Sequence, residues 1–146
     1  MPIVAGFNIG KEVSLDLVHP TLGIIPFGLL MNFTSRPMKN RLQSTPITNG
    51  GKSIFRIVYT GWEGAFEIDR SNGVPDALMA LLEANFYGGQ PETYFLITET
   101  ISNPDSSIDE YRFRNAVIEP EDAGSWKAEE KVTIKLAFAA SIREKV

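Results

Sequence analysis

The side chains able to do chemistry in this chain are few and scattered. His19 is the single histidine; it precedes Pro20 at the end of an alternating stretch, with no second histidine and no Gly-x-Ser-x-Gly elbow. A structural or surface role therefore outweighs catalysis. Glu67 and Asp69 are two residues apart in another alternating stretch, so they share one strand face, as an acid–base couple or a pair of cation ligands would. With no histidine nearby to complete either arrangement, exposed strand carboxylates are the better reading. Gly50-Gly51 and Gly88-Gly89 read as turn and helix-stop glycines, because neither a Gly-x-Gly-x-x-Gly after a strand nor a P-loop is present. The aromatics Phe7, Phe27, Phe33, Phe55 and Tyr59 have rings on which bases stack, but the chain is acidic overall and core packing explains most of them. The chain has no cysteine, which removes disulfides, thiolate metal sites and thiol nucleophiles and is compatible with a reducing compartment. No catalytic residue, cofactor or metal site follows, and the chain is expected not to be an enzyme.

The elements that carry these residues are mostly strands. The 146 residues, 43% of them hydrophobic, suit one domain with one continuous core over 1–146. No basic segment leads into a long apolar one at the N-terminus, and no apolar run approaches the ~18 residues of a membrane span. The chain reads as soluble and unexported, without a membrane anchor, so the sequon Asn32-Phe33-Thr34 reads as strand residues. After an N-terminal arm, Val13, Leu15 and Leu17 alternate with Ser14 and Asp16 as in a strand ended by His19-Pro20. The apolar stretch from Ile24 to Phe33 contains Pro26 and Gly28 and predicts an edge or bulged strand. Phe55, Ile57 and Tyr59 alternate with Ile54, Arg56 and Val58, so both faces of that strand are largely apolar. Gly61 and Gly64 predict a tight reversal into a return strand, where Phe66 and Ile68 alternate with Glu67 and Asp69. Further strands are expected around Tyr94–Ile101, Tyr111–Ile118 and Val132–Ile142.

One helix is expected, from Pro75 to Tyr87. Pro75 suits its first turn, Asp76 complements the dipole, Leu78, Leu81, Leu82 and Phe86 form its apolar face, and Gly88-Gly89 followed by Pro91 stops it. The sum predicts a mainly β protein: two small antiparallel sheets forming a β-sandwich or partly open β-barrel, flanked by one α-helix.

Charge is unevenly spread. The net charge is -4, yet no Asp or Glu lies between Leu17 and Trp62, where Arg36, Lys39, Arg41, Lys52 and Arg56 fall. These five of the 14 basic residues leave nine to face all 18 acidic ones elsewhere. Such asymmetry suits nucleic-acid contact, complementary contact between copies, or a solvated loop. Most of these cations lie in the segment 34–52, rich in Ser, Pro, Asn and Gly, which reads as a long loop or extended hairpin too long for a simple connector.

The stretch Thr60-Gly61-Trp62-Glu63-Gly64-Ala65-Phe66-Glu67-Ile68-Asp69-Arg70, the helix after it with its aromatic-Gly-Gly end, and the closing Val132-Thr-Ile-Lys-Leu-Ala-Phe-Ala-Ala-Ser141 together resemble the tail tube proteins of contractile-tailed phages. The match is tightest from Tyr59 to Gln90; residues 1–50 match in kind rather than by motif. The resemblance implies a β-sandwich or barrel subunit of homo-hexameric rings, which stack into a tube inside a sheath and let DNA through without specific binding. Itself, sheath, baseplate and terminator proteins would be the partners, and the virion tail, assembled in the host bacterial cytoplasm, the location. Tubes of phage-like bacteriocins and secretion machines share this fold, and a monomeric ligand-binding β-barrel is the alternative from another class. On this reading the 34–52 segment reaches an adjacent subunit, where Arg36, Lys39 and Arg41 pair with carboxylates and Met38, Leu42 and Ile47 become buried. Glu67 and Asp69 become candidate lumen-facing residues, since a basic bore would retain phosphate.

Overall fold

The computed structural model describes residues 6–26 and 29–146. Phe27, Gly28 and the first part of the expected N-terminal arm (1–5) lie outside the described residues. Eight strands and one α-helix follow in the order β1 (Val13–His19), β2 (Gly23–Ile25), β3 (Leu29–Ser44), β4 (Ile54–Asp69), α1 (Val74–Tyr87), β5 (Phe95–Ser102), β6 (Ile108–Asp122), β7 (Thr133–Ala140) and β8 (Ile142–Lys145). All pairings are antiparallel, in the order β2-β1-β5-β6-β7-β4-β3, with β8 added on β6.

The expected pair of sheets is one open sheet bent into two halves that share β6. Its residues Ile108–Ala116 pair with β5, and Val117–Asp122 pair with β7. The bend falls at Asn115, whose φ is 54°; a short polar side chain tolerates that left-handed region better than most. Ser141 breaks the last expected strand at the same corner, so that β7 serves one half and β8 the other. Its N–H and hydroxyl both donate to the Arg114 carbonyl (3.0 and 3.1 Å), and Asn115 Nδ2 donates to its Oγ (3.2 Å).

The halves close over an aromatic core. Phe33 of β3 stacks on Phe138 of β7 (centroids 5.8 Å, interplanar 3°), and Phe113 of β6 meets both rings edge-on. Ile68, Phe95, Ile97, Ile134 and Leu136 are buried around them, each such side chain contributing about 1.5–3 kcal/mol relative to exposure. The two-residue period of β4 and β7 thus puts Phe66, Ile68, Ile134, Leu136 and Phe138 inward, as the alternation predicts.

Gly61 and Gly64 do not form the expected reversal. β4 runs straight through both, and the glycines serve close approach instead: a Cβ on Gly64 would lie 2.0 Å from the Thr34 carbonyl oxygen and 2.8 Å from the Phe138 ring. At Gly61 the strand is bulged, the register slipping between Met38 and Lys39 opposite. The 34–52 segment resolves to the hairpin alternative: it is strand as far as Ser44, and only 45–53 forms the turn. Pro37 is accommodated because β3 ends the strand order. Of the stretch from Ile24 to Phe33, Ile24 and Ile25 lie in β2 and 29–33 in a β3 that is bulged between Leu30 and Asn32, the two end strands.

The helix begins one residue before Pro75. Asn72 Oδ1 accepts the Val74 N–H at 2.9 Å, and Arg70 at the end of β4 holds Asp76 of the first turn at 2.8 Å. At the other end Gly89 takes φ 71°, its N–H reaching the Phe86 carbonyl and that of Gln90 the Asn85 carbonyl, the Schellman pattern. Pro75 and Leu78 are buried, and Val74, Met79 and Leu82 pack on the core. Phe86, expected on that face, is 75% exposed, because the second half of the helix stands off the sheet and leaves a groove against 117–120.

Candidate functional site

The two longest strands build the most distinctive surface. β4 is flanked by β7 only from Trp62 to Asp69, whereas β3 continues beside it from Leu29 to Ser44. Beyond Gly61 the ladder is therefore two-stranded, Lys39–Ser44 paired with Ile54–Tyr59. Six residues at ~3.3 Å each give an arm about 20 Å long. A two-stranded ribbon is marginal in water without a packing partner.

The arm carries apolar side chains into solvent. Lys39, Arg41 and Gln43 lie opposite Tyr59, Ile57 and Phe55, so these six share a face. Tyr59 is 73% and Phe55 57% exposed, while Ile47 at the turn is 96% exposed. On the other face, Leu42, Ile54 and Val58 are also exposed. Large apolar side chains on both faces of an uncovered ribbon mark an interaction surface.

Of the expected interface residues, Lys39, Arg41, Leu42 and Ile47 lie along this arm or its turn. Met38 sits at its root, half-buried, with its methyl group 3.1 Å from where a Gly61 Cβ would be. Arg36 differs from the expectation: it lies below the arm and binds Glu63 across the pair at 2.6 Å. The cross-strand register supplies the carboxylate that its sequence neighbours lack. Arg41 packs its guanidinium over Phe55 at 5.8 Å. Lys39, Arg41, Lys52 and Arg56 make no ion pair among the described residues. Ile54, Ile57 and Val58 belong to the same surface; their sequence signal was the apolar character of both strand faces.

Glu67 and Asp69 do share one face, opposite buried Phe66 and Ile68. Both are countered by lysines: Glu67 by Lys135 at 3.8 Å and Asp69 by Lys131 at 3.3 Å, with the Thr133 hydroxyl donating to Asp69 at 3.2 Å. The register sets Ala65 beside Ala137 and Glu67 beside Lys135 on this outer face, which is of mixed charge. Among the described residues no group of three His, Asp or Glu is placed to hold a metal ion. His19 is buried, its Nδ1 accepting from the Thr21 and Leu22 N–H groups and its Nε2 bonded to Thr93 Oγ1 at 3.1 Å. Both ring nitrogens thus have structural partners.

A part-buried ion pair with a buried carboxylate lies beside Trp62, next to the root of the arm. Arg143 of β8 bonds Glu99 of β5 at 2.7 Å, lies 3.6 Å over the Tyr111 ring, and sits 5.1 Å from Trp62. On the open side, an apolar cleft of about 780 Å³ separates β1 and β2 from β3, lined by Leu15, Leu17, Ile25, Leu30, Phe33 and Phe66. Among the described residues no helix is long and apolar enough to cross a membrane.

No protein-family model and no curated protein matches the chain. Solved structures match its fold over nearly their whole length. A chain in the cryo-EM structure of the anti-feeding prophage cap, a tube-terminating cap, has a TM-score of 0.64 at 10% identity, covering 100% of this chain and 95% of that one. A chain in the extended sheath–tube complex of the extracellular contractile injection system PVC scores 0.59 at 12% identity, covering 98% and 95%. A chain in the C6-symmetric tail of an empty gene transfer agent particle scores 0.58 at 13% identity, covering 96% and 99%. The chain therefore has a fold used by components of tails and contractile injection systems, in line with the tail-tube resemblance of its sequence.

Proposed function

We propose that this protein is the subunit of an inner tail tube, forming stacked homo-hexameric rings in the virion tail. The arm carries this reading: a ribbon with apolar side chains on both faces has no cover among the described residues of the subunit and gains it from a neighbouring copy. The six-fold symmetry of similar assemblies, the gene transfer agent tail among them, supports the ring number. Sheath, baseplate and terminator proteins would be the remaining partners, and assembly would take place in the host bacterial cytoplasm. The protein works as a conduit, not as an enzyme.

The outer face of β4 and β7 suits the bore. Its alanines are small, and its carboxylates Glu67 and Asp69 are paired with lysines, so DNA would meet a wall of little net positive charge during ejection. Tubes of phage-like bacteriocins and secretion machines would use the same surfaces, and loading with DNA separates them from a phage tail. Negative-stain microscopy of the purified protein tests the reading: tubes or stacked six-fold rings support it. A monomer whose melting temperature rises with a small apolar ligand would instead assign the 780 Å³ cleft as a binding site.

A further inference from the structure

A second uncovered apolar surface lies on α1. Phe86 and Tyr87 are exposed with their rings edge to face at 5.3 Å. They border a groove of about 370 Å³ between the second half of α1 and 117–120, floored by Met79 and Leu82. Three carboxylates line it, Glu83, Glu92 and Glu119, with no lysine or arginine. None of the three makes an ion pair among the described residues. The arm has the opposite character, apolar side chains set among Lys39, Arg41 and Lys52, which also lack carboxylate partners among the described residues. One surface is apolar with a negative rim, the other apolar with a positive rim.

We propose that the α1 groove is the receptor for the β3–β4 arm of a second copy of this chain, with the Ile47 turn and the Arg41–Phe55 face seated against Leu82, Phe86 and Tyr87. The inference rests on the assembly reading above and names the surface that completes it. Where each copy gives its arm to one neighbour and takes one from another, the contact is heterologous and repeats into rings or stacks. Like charge opposes arm meeting arm and groove meeting groove, which fixes the direction of addition. The exposed cations and carboxylates speed the encounter and make it sensitive to salt.

The test is a charge exchange on the full chain, read by sedimentation and microscopy at low and moderate salt, with circular dichroism and melting confirming a folded subunit. Glu83→Lys, Glu92→Lys and Glu119→Lys together should lower the assembled fraction at least tenfold, as should Lys39→Glu, Arg41→Glu and Lys52→Glu together. A chain carrying all six substitutions should assemble again. If the lysine variant fails to fold, the three glutamines Glu83→Gln, Glu92→Gln and Glu119→Gln serve in its place and should flatten the salt dependence. Assembly of a folded groove variant at the parent's level, or failure of the folded six-fold exchange to recover, overturns the groove as receptor. Failure of the parent itself to assemble overturns the assembly reading instead, so the two failures are distinguishable.

Discussion

Arg36 on β3 and Glu63 on β4 stand opposite each other and are joined at 2.6 Å. The pair divides the basic segment in two. Below Gly61 the hairpin is neutralised and backed by β7; above it, Lys39, Arg41, Lys52 and Arg56 rise on a ribbon without carboxylates.

This division separates the effects of two charge reversals. Arg36→Glu sets two carboxylates side by side at an exposed site and should cost the subunit no more than about 1 kcal/mol, with little effect on assembly. Lys39→Glu with Arg41→Glu should leave the subunit's unfolding midpoint within the change expected of surface sites, about 0.5 kcal/mol. It should nevertheless suppress assembly at equal protein concentration. Denaturant titration and sedimentation of the same samples check both arms.

Gly64→Ala should destabilise the fold sharply. The added methyl group would meet the Thr34 carbonyl and the Phe138 ring, and overpacking of this kind costs typically ~1–3 kcal/mol or more. Gly89→Ala forces an alanine into the left-handed region but meets no atom within 4 Å, so it should cost less, about 1 kcal/mol. Chemical denaturation ranks the two; equal losses would contradict the packing role of Gly64.

Along α1 the burial predicts opposite behaviour for two apolar residues. Leu78→Ala should cost about 2–5 kcal/mol, because Leu78 is only 3% exposed. Phe86→Ala should change subunit stability by about 0.5 kcal/mol or less and show its effect in assembly. A subunit loss as large as that of Leu78→Ala would mean that Phe86 packs on the core.

The Arg143–Glu99 pair should be expensive to break from one side. Arg143→Ala leaves Glu99 buried without its partner, a change that costs on the order of 3–5 kcal/mol. Because the guanidinium lies 5.1 Å from the Trp62 ring, the same variant should alter Trp62 emission in the folded subunit. Arg143→Met, combined with Glu99→Leu, should recover much of the stability but not the emission.

Much of this fold was legible in the sequence, and the exceptions have physical causes. The helix ends were readable because Pro75, Asp76 and Gly88-Gly89 act locally, through backbone geometry and dipole. The inward faces of β4 and β7 were readable because burial on one face imposes a period of two. Gly61 and Gly64 misled because a glycine needed for close approach looks, in one dimension, like a glycine needed for a turn; only the Phe138 ring shows the difference. The break at Ser141 had no turn signal, since the corner is held by contacts to Arg114 and Asn115, distant in sequence. Phe86 kept the helical period but not the burial, and Arg36 found Glu63 only through the strand register.

On the proposed function, the uncovered arm is what drives this subunit to polymerise. The most direct measurement is negative-stain microscopy with sedimentation of the purified protein across a range of concentration. Stacked six-fold rings or tubes are expected, growing with concentration and lost when Lys39 and Arg41 are reversed in charge. A protein that stays monomeric at every concentration, with its arm intact and its subunit folded, would contradict it.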